Sequence, residues 1–230
     1  MEILEKNWIY EFTSQQEDII INPWTDLKIL DKSNAVKRNF FIKSNCNFVY
    51  RILFQNQSDF DYKFFFEWKN TRWDIQFFIL SQDNTQIKWN INVFIKNKNI
   101  STDLKVISIL WENGYSQIYP NINIPQSIVT SQWNVYQETV FLWEKWQTFA
   151  QPVLDISSDQ IKAFHGVKIQ KLDKDKMFYL ASKGINNQNS QELMIWWYFN
   201  KFFDWFNINE SIIKWYLTFF EKKWMNQQIW

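Results

Sequence analysis

The 230 residues carry 25 Lys and Arg against 24 Asp and Glu, a formal charge of +1, so no long-range field gathers nucleic acid or anionic lipid. One cysteine, Cys46, excludes an internal disulfide and suits a reducing cytosol, and a single histidine, His165, excludes any metal site built on paired imidazoles. The first 21 residues hold early acidic side chains and no apolar core of signal-peptide type, and no run reaches the roughly 20 apolar residues that cross a bilayer. These features predict a cytoplasmic chain that binds neither membrane nor nucleic acid.

Residues 1–35 are polar with a few apolar anchors, Trp8, Ile9, Tyr10 and Phe12, then Ile19 to Ile21. They read as a lead-in segment, with a short helix over Glu2 to Trp8. From Arg38 the chain becomes a succession of strand-like runs: Asn39–Lys43, Phe48–Phe54, Tyr62–Lys69, Trp73–Leu80, Ile87–Ile95 and Leu104–Trp111. Each is rich in Ile, Val, Phe, Tyr and Trp, and polar punctuators such as Ser81-Gln82-Asp83-Asn84 and Lys96-Asn97-Lys98-Asn99 separate them. Short strands with regular turns fit a sandwich, a barrel or a solenoid, and no crisp repeat selects among these.

Between Pro152 and Gly184 the chain changes character. Leu154 and Ile156, Ile161 and Ala163, then Val167 and Ile169 alternate as on strands with one buried face. From Asp173 the period lengthens: Asp173 caps a helix on which Met177, Phe178, Leu180 and Ala181 cluster as core with Tyr179, and Lys183-Gly184 stops it. Ile185–Ser190 reads as a linker with Glu192 reaching back to Asn189, followed by a helix from Gln191 to about Phe206 that is apolar around much of its circumference. A last helix is expected over Ser211 to about Met225, ending in basic residues.

The order Pro152, Leu154, Ile156, a spacer, His165-Gly166, a strand, Leu172-Asp173, Phe178-Tyr179-Leu180 and Ser182-Lys183-Gly184 resembles the C-terminal signature of the SufB/SufD scaffold proteins of iron–sulfur cluster assembly. The match runs on more weakly to about Phe206 and upstream into Gln137–Leu142. It is closer to the SufD side, because Gly166 stands where SufB-type chains usually carry an acidic residue. The resemblance implies a right-handed parallel β-helix over 36–170 and a helical region over 171–230; pattern alone would also allow a β-sandwich plus helices.

By the same resemblance, the chain would be a non-catalytic SufD-like subunit. It would pair with a SufB-type scaffold, or with itself as a homodimer, and dock a SufC-type ATPase through its C-terminal helices, where Trp196, Trp197 and Phe203 are the contact candidates. His165 corresponds to a histidine implicated in building the nascent cluster at the subunit contact. Pro152, Gly166, Tyr179, Lys183 and Gly184 hold the motif's structure, and Lys183 replaces the usual Arg, losing a fork-like carboxylate contact. Ala163 stands where many members carry a cysteine, so no cofactor is expected on this chain alone, and an iron–sulfur cluster would form only transiently at a shared interface. A β-helix enzyme acting on polysaccharide, or a degenerate member with a purely architectural role, are the alternatives.

Overall fold

The computed structural model describes residues 2–4, 9–33, 35–55, 59–81, 86–110, 115–142 and 147–203, and divides the chain into a β unit, 1–172, and a helical unit, 173–230. The β unit opens with β1 (Glu2–Leu4), β2 (Ile9–Phe12), β3 (Asp18–Ile21), β4 (Asp26–Asp31) and β5 (Lys37–Ile42). It continues through β6 (Asn47–Gln55), β7 (Asp59–Phe66), β8 (Thr71–Ser81), β9 (Gln86–Ile95) and β10 (Ile100–Leu110). It closes with β11 (Tyr115–Ile124), β12 (Ser131–Phe141), β13 (Gln147–Ala150), β14 (Val153–Ile156) and β15 (Ile161–Lys171).

All pairings are parallel, and consecutive strands alternate between two sheets, one ordered β1-β3-β5-β7-β9-β11-β13 with β14 also on β11, the other β15-β12-β10-β8-β6-β4-β2. This is a β-solenoid in which each turn lays one rung on each sheet, and it excludes an antiparallel sandwich. The segment 1–35 is therefore not a separate lead-in: its described strands β1–β4 form the first rungs. Glu2–Leu4 is strand rather than helix, and Lys37 begins a third-turn strand already in register with Asp61.

The turn length grows along the chain, which is why no repeat is visible in the sequence. Glu2 lies beside Ile19, a step of 17 residues; Leu27 beside Phe48, a step of 21; Phe48 beside Trp73, 25; Phe64 beside Val93, 29; and Trp133 beside Ala163, 30. The strands themselves lengthen from three or four residues to eleven, so the lumen widens toward the C-terminal rungs. Inward positions carry the core. Phe40, Tyr50, Tyr62, Phe64, Trp73, Phe77 and Trp89 interlock there, with Phe40 stacked on Phe64 at 4.9 Å and Phe77 edge-on to Trp89 at 5.8 Å.

One corner keeps its geometry while the turn expands. Trp24, Asn45, Asn70, Asn99 and Thr130, which occupy the same register position in five successive turns, all adopt positive φ, from 55° to 62°. Asparagine tolerates this left-handed conformation better than most residues because its short amide bonds locally. The amides also form a ladder: Asn70 Nδ2 donates to Asn45 Oδ1 and Asn99 Nδ2 to Asn70 Oδ1, each at 3.2 Å. Asn70→Ala is expected to lower stability by about 2 kcal/mol, from left-handed strain plus the lost amide bonds. Asn70→Gly, which keeps the backbone free, should lose less than half as much; urea unfolding of the two variants separates the contributions.

In the helical unit, α1 (Lys174–Ser182) starts where Asp173 Oδ1 accepts from the backbone N–H groups of Asp175 and Lys176, and Gly184 follows at φ 80°. The same N–H groups, Lys176 first, hold the Asp173 carboxyl below its ordinary range. The next helix, α2 (Asn187–Phe202), begins a turn earlier than the sequence suggested, because Asn186 rather than Asn189 is the cap, its Oδ1 accepting from the Asn189 N–H at 2.8 Å. The expected helix at 211–225 lies outside the described residues. No described helix is long and apolar enough to cross a membrane.

Candidate functional site at the terminal rung

β15 ends its sheet. It pairs with β12 along its whole length, from Ser131 beside Ile161 to Phe141 beside Lys171, and no described strand covers its other edge. The register sorts its side chains. Ala163, His165, Val167 and Ile169 continue inward columns of the lumen: Phe48–Trp73–Thr102–Trp133–Ala163, Tyr50–Ile75–Leu104–Val135–His165, Ile52–Phe77–Val106–Gln137–Val167 and Phe54–Ile79–Ser108–Thr139–Ile169.

In every earlier rung these positions are buried. On β15 they are open: His165 is exposed, and Val167 and Ile169 keep 42% and 46% of their surface. Val167 and Ile169 thus put an apolar strip beside the single histidine on its own face of the strand, and Phe164 is exposed on the opposite face. The other sheet ends similarly in β13 and β14, two short strands on β11 separated at Gln151-Pro152, where proline has no N–H to give the ladder.

At Gly166 an added side chain would be crowded. A Cβ there would sit 3.2 Å from the Phe164 ring and 3.3 Å from Tyr136, so its absence lets the two aromatics close over the strand. On that outward face Glu138 accepts from Gln170 Nε2 at 2.8 Å and pairs with Lys168 at 3.5 Å. Partial burial, then the Glu138 charge, raises the Tyr136 phenol above its ordinary value.

The lumen beneath this rung carries several polar side chains. Ser108 donates to Thr139 at 3.0 Å, Ser116 bonds Thr148 at 2.8 Å, and the Trp133 indole N–H, the Thr102 hydroxyl and both amide atoms of Gln137 are buried without a hydrogen-bond partner among the described residues. Sequence reading missed Gln137; its signal was an amide at inward parity between Val135 and Thr139.

Cys46 lies far up the chain, fully buried, with its thiol directed at the carbonyls of Asn22, Lys43 and Ser44. It is a corner-packing residue. Among the described residues no three of His, Cys, Asp and Glu gather to hold a metal. A groove along the asparagine corner has one carboxylate in its lining, Asp159, and no aromatic side chain, so it lacks the acid pair and the sugar platforms that a polysaccharide-cleaving reading needs there.

The helical unit places its candidates differently from one another. Phe203 is buried, Trp196 is half-buried and stacks on Phe199 at 5.4 Å, and Trp197 is 48% exposed with the Lys176 and Lys201 ammoniums 5.1 and 5.3 Å from its ring. α1 buries nothing. Phe178 is 77% exposed and Tyr179 stands out with Lys183 Nζ over its ring, which corrects their reading as helix core. α2 buries Met194, Ile195, Tyr198, Phe199 and Phe202 on one face and presents Leu193 and Trp197 on the other.

Residues 43–196 match the family model described as SUF system FeS cluster assembly, SufBD core domain. The chain is similar to the iron-sulfur cluster assembly protein SufD of Escherichia coli, 26% identical over 89 residues, which is 39% of this chain and 21% of that protein. It is also similar to an iron-sulfur cluster assembly SufBD family protein of Synechocystis, 31% identical over 72 residues, 31% of this chain and 16% of that protein. The chain therefore aligns with about a fifth or less of the length of these curated relatives. With two thirds of its own residues under the family model and a parallel β-solenoid followed by helices, the chain belongs to the SufBD core-domain family of iron–sulfur cluster assembly.

Proposed function

We propose that this chain is a non-catalytic, SufD-like subunit that pairs with a SufB-type scaffold, or with a second copy of itself, along β15, and docks a SufC-type ATPase through its helical unit. The observation that carries the reading is the terminal rung: an eleven-residue parallel strand with no described strand beyond it, carrying an apolar strip and the only histidine of the sequence. A strand at the end of a sheet is a template for a partner's strand. The exposed Phe178, Tyr179 and Trp197 supply aromatic anchors of the kind that dominate contact energies, with Leu193 exposed beside them in sequence.

In this reading the cluster is cargo. Iron–sulfur clusters are held mainly by thiolates, and the one thiol of this chain is buried at a corner, so thiolates come from the partner while His165 offers one imidazole nitrogen as a neutral base. Nucleotide chemistry belongs to the ATPase, since the sequence has no Gly-rich phosphate loop. The test is co-expression of the full chain with SufB-type and SufC-type proteins followed by affinity capture. Both should be retained, and Trp197→Ala should release the ATPase while keeping the scaffold partner. Capture of neither protein sinks the proposal.

A further inference from the structure

α1 buries no residue, yet three of its side chains form a row. Lys176, Tyr179 and Lys183 are three and four positions apart, so they share one stripe of the helix, and all three are exposed. Lys183 Nζ lies 5.4 Å from the centre of the Tyr179 ring. α2 adds a second pair of the same chemistry, one helical turn apart: Trp197 is 48% exposed, and Lys201 Nζ lies 5.3 Å from its ring. Lys176 joins the two, because its ammonium reaches from α1 to 5.1 Å from the Trp197 ring. The helical unit thus carries one stripe, Lys183–Tyr179–Lys176–Trp197–Lys201, in which each ring is met by a cation.

Charge along the stripe is one-sided. The carboxylate nearest to it is Asp173, 3.6 Å from Lys176 and already engaged in capping α1 through the backbone N–H groups of Asp175 and Lys176. Among the described residues neither Lys183 nor Lys201 has a carboxylate within ion-pairing distance. Asp175 lies about 100° round the helix from Lys176, off the stripe.

This arrangement sets a condition on whatever docks there. A surface that covers Trp197 also takes the Lys176 and Lys201 ammoniums out of water, and a desolvated ammonium without an anionic acceptor costs more than an aromatic contact returns. An apolar slot alone is a poor fit. We propose that this stripe is the part of the helical unit that meets the ATPase, and that the surface it meets is acidic, with carboxylates flanking an apolar slot that takes the Trp197 ring. The proposal rests on the docking reading above and adds the chemistry of the partner's surface. Carboxylates replace the water that the lysines lose, and the indole supplies the buried anchor.

The test is titration of the purified full chain with a SufC-type ATPase at two salt concentrations. Raising NaCl from about 0.05 to about 0.5 M should weaken wild-type binding roughly tenfold, because exposed charges are screened. Lys176→Glu with Lys201→Glu should weaken it at least about a hundredfold, since like charges then face each other. The same charge change on exposed lysines of the β unit, Lys88→Glu with Lys98→Glu, should leave Kd within about twofold. Lys176→Met with Lys201→Met keeps the apolar stems and removes the charge, so it should lose roughly tenfold and flatten the salt dependence. A methionine pair that binds as tightly as the wild type or more so would overturn the proposal, and so would a reversed pair that keeps wild-type affinity. A reversed pair that loses only binding to phosphatidylserine vesicles would overturn it in favour of a lipid surface. A wild type that binds no ATPase at either salt sinks the docking reading itself and this proposal with it; the other outcomes leave that reading standing.

Discussion

Asp31→Ala is expected to cost about 3–5 kcal/mol, the largest single effect in the β unit, because it strands a fully buried guanidinium. Arg38 Nε donates to Asp31 Oδ2 at 3.0 Å, and Nη2 donates to Ser33 Oγ at 2.5 Å and to the Ser14 carbonyl at 2.6 Å. Tyr50 donates to the same Asp31 oxygen at 2.7 Å, and neither Asp31 nor Arg38 exposes any surface. The early turns are too short to fill their lumen with apolar side chains alone, so this network and the Phe12 ring, 4.5 Å from the guanidinium, do so. Removing one charge leaves the other desolvated and unpaired. Replacing both, as in Asp31→Leu with Arg38→Met, should recover most of the loss, since a buried pair is often no better than apolar residues of similar volume. Urea unfolding of the two single variants and the double closes the cycle.

The tyrosines of this cluster add a pH signature. Burial first, and the Asp31 charge second, raise the Tyr50 and Tyr62 phenols well above their ordinary value. A group kept protonated by the fold stabilises it fully below its unfolded value, here about pH 10, and that stability is lost as pH rises from there toward the folded value. The unfolding midpoint should therefore fall above about pH 10, less so in Tyr50→Phe; an equal fall in both proteins would place the alkaline sensitivity elsewhere.

How much of this was legible in the sequence differs by level. Strand runs from Arg38 onward stood out because β-branched and aromatic residues alternate with polar ones, and the Asp173 cap and Gly184 stop were readable for the same local reason. The solenoid was not readable as a repeat, because the turn grows from 17 residues to as many as 32 while the corner marked by Asn45, Asn70 and Asn99 keeps its geometry. Residues 1–35 hid three- to six-residue strands whose pairing partners lie a whole turn away. The motif around His165 carried the family. What made it a candidate site, its place on the last described strand of its sheet, depends on register between β12 and β15, which no local pattern encodes. Phe178 and Tyr179 were misread because an apolar cluster on a helix looks the same whether it faces a core or is left exposed.

That edge supplies the other large effect. Val167→Lys combined with Ile169→Lys should leave this chain folded, because both side chains are already close to half exposed and surface changes of this kind usually shift stability by about 0.5 kcal/mol or less each. Pairing is another matter. If a second solenoid adds its strand to β15, the two ammoniums are taken into an interface without partners, and lysines on an edge are the device by which proteins discourage strand addition. Affinity for the scaffold partner should fall at least about a hundredfold, near 2.7 kcal/mol, read as the loss of the heterodimer in titrations of purified protein. Capture of the ATPase should persist, because its proposed contacts lie in α1 and α2, whereas Trp197→Ala should give the opposite pattern. Two surfaces failing independently would make the chain a connector between scaffold and ATPase. A double lysine variant that still pairs at wild-type affinity would instead mean that β15 is not the contact and that His165 has no place at a shared cluster.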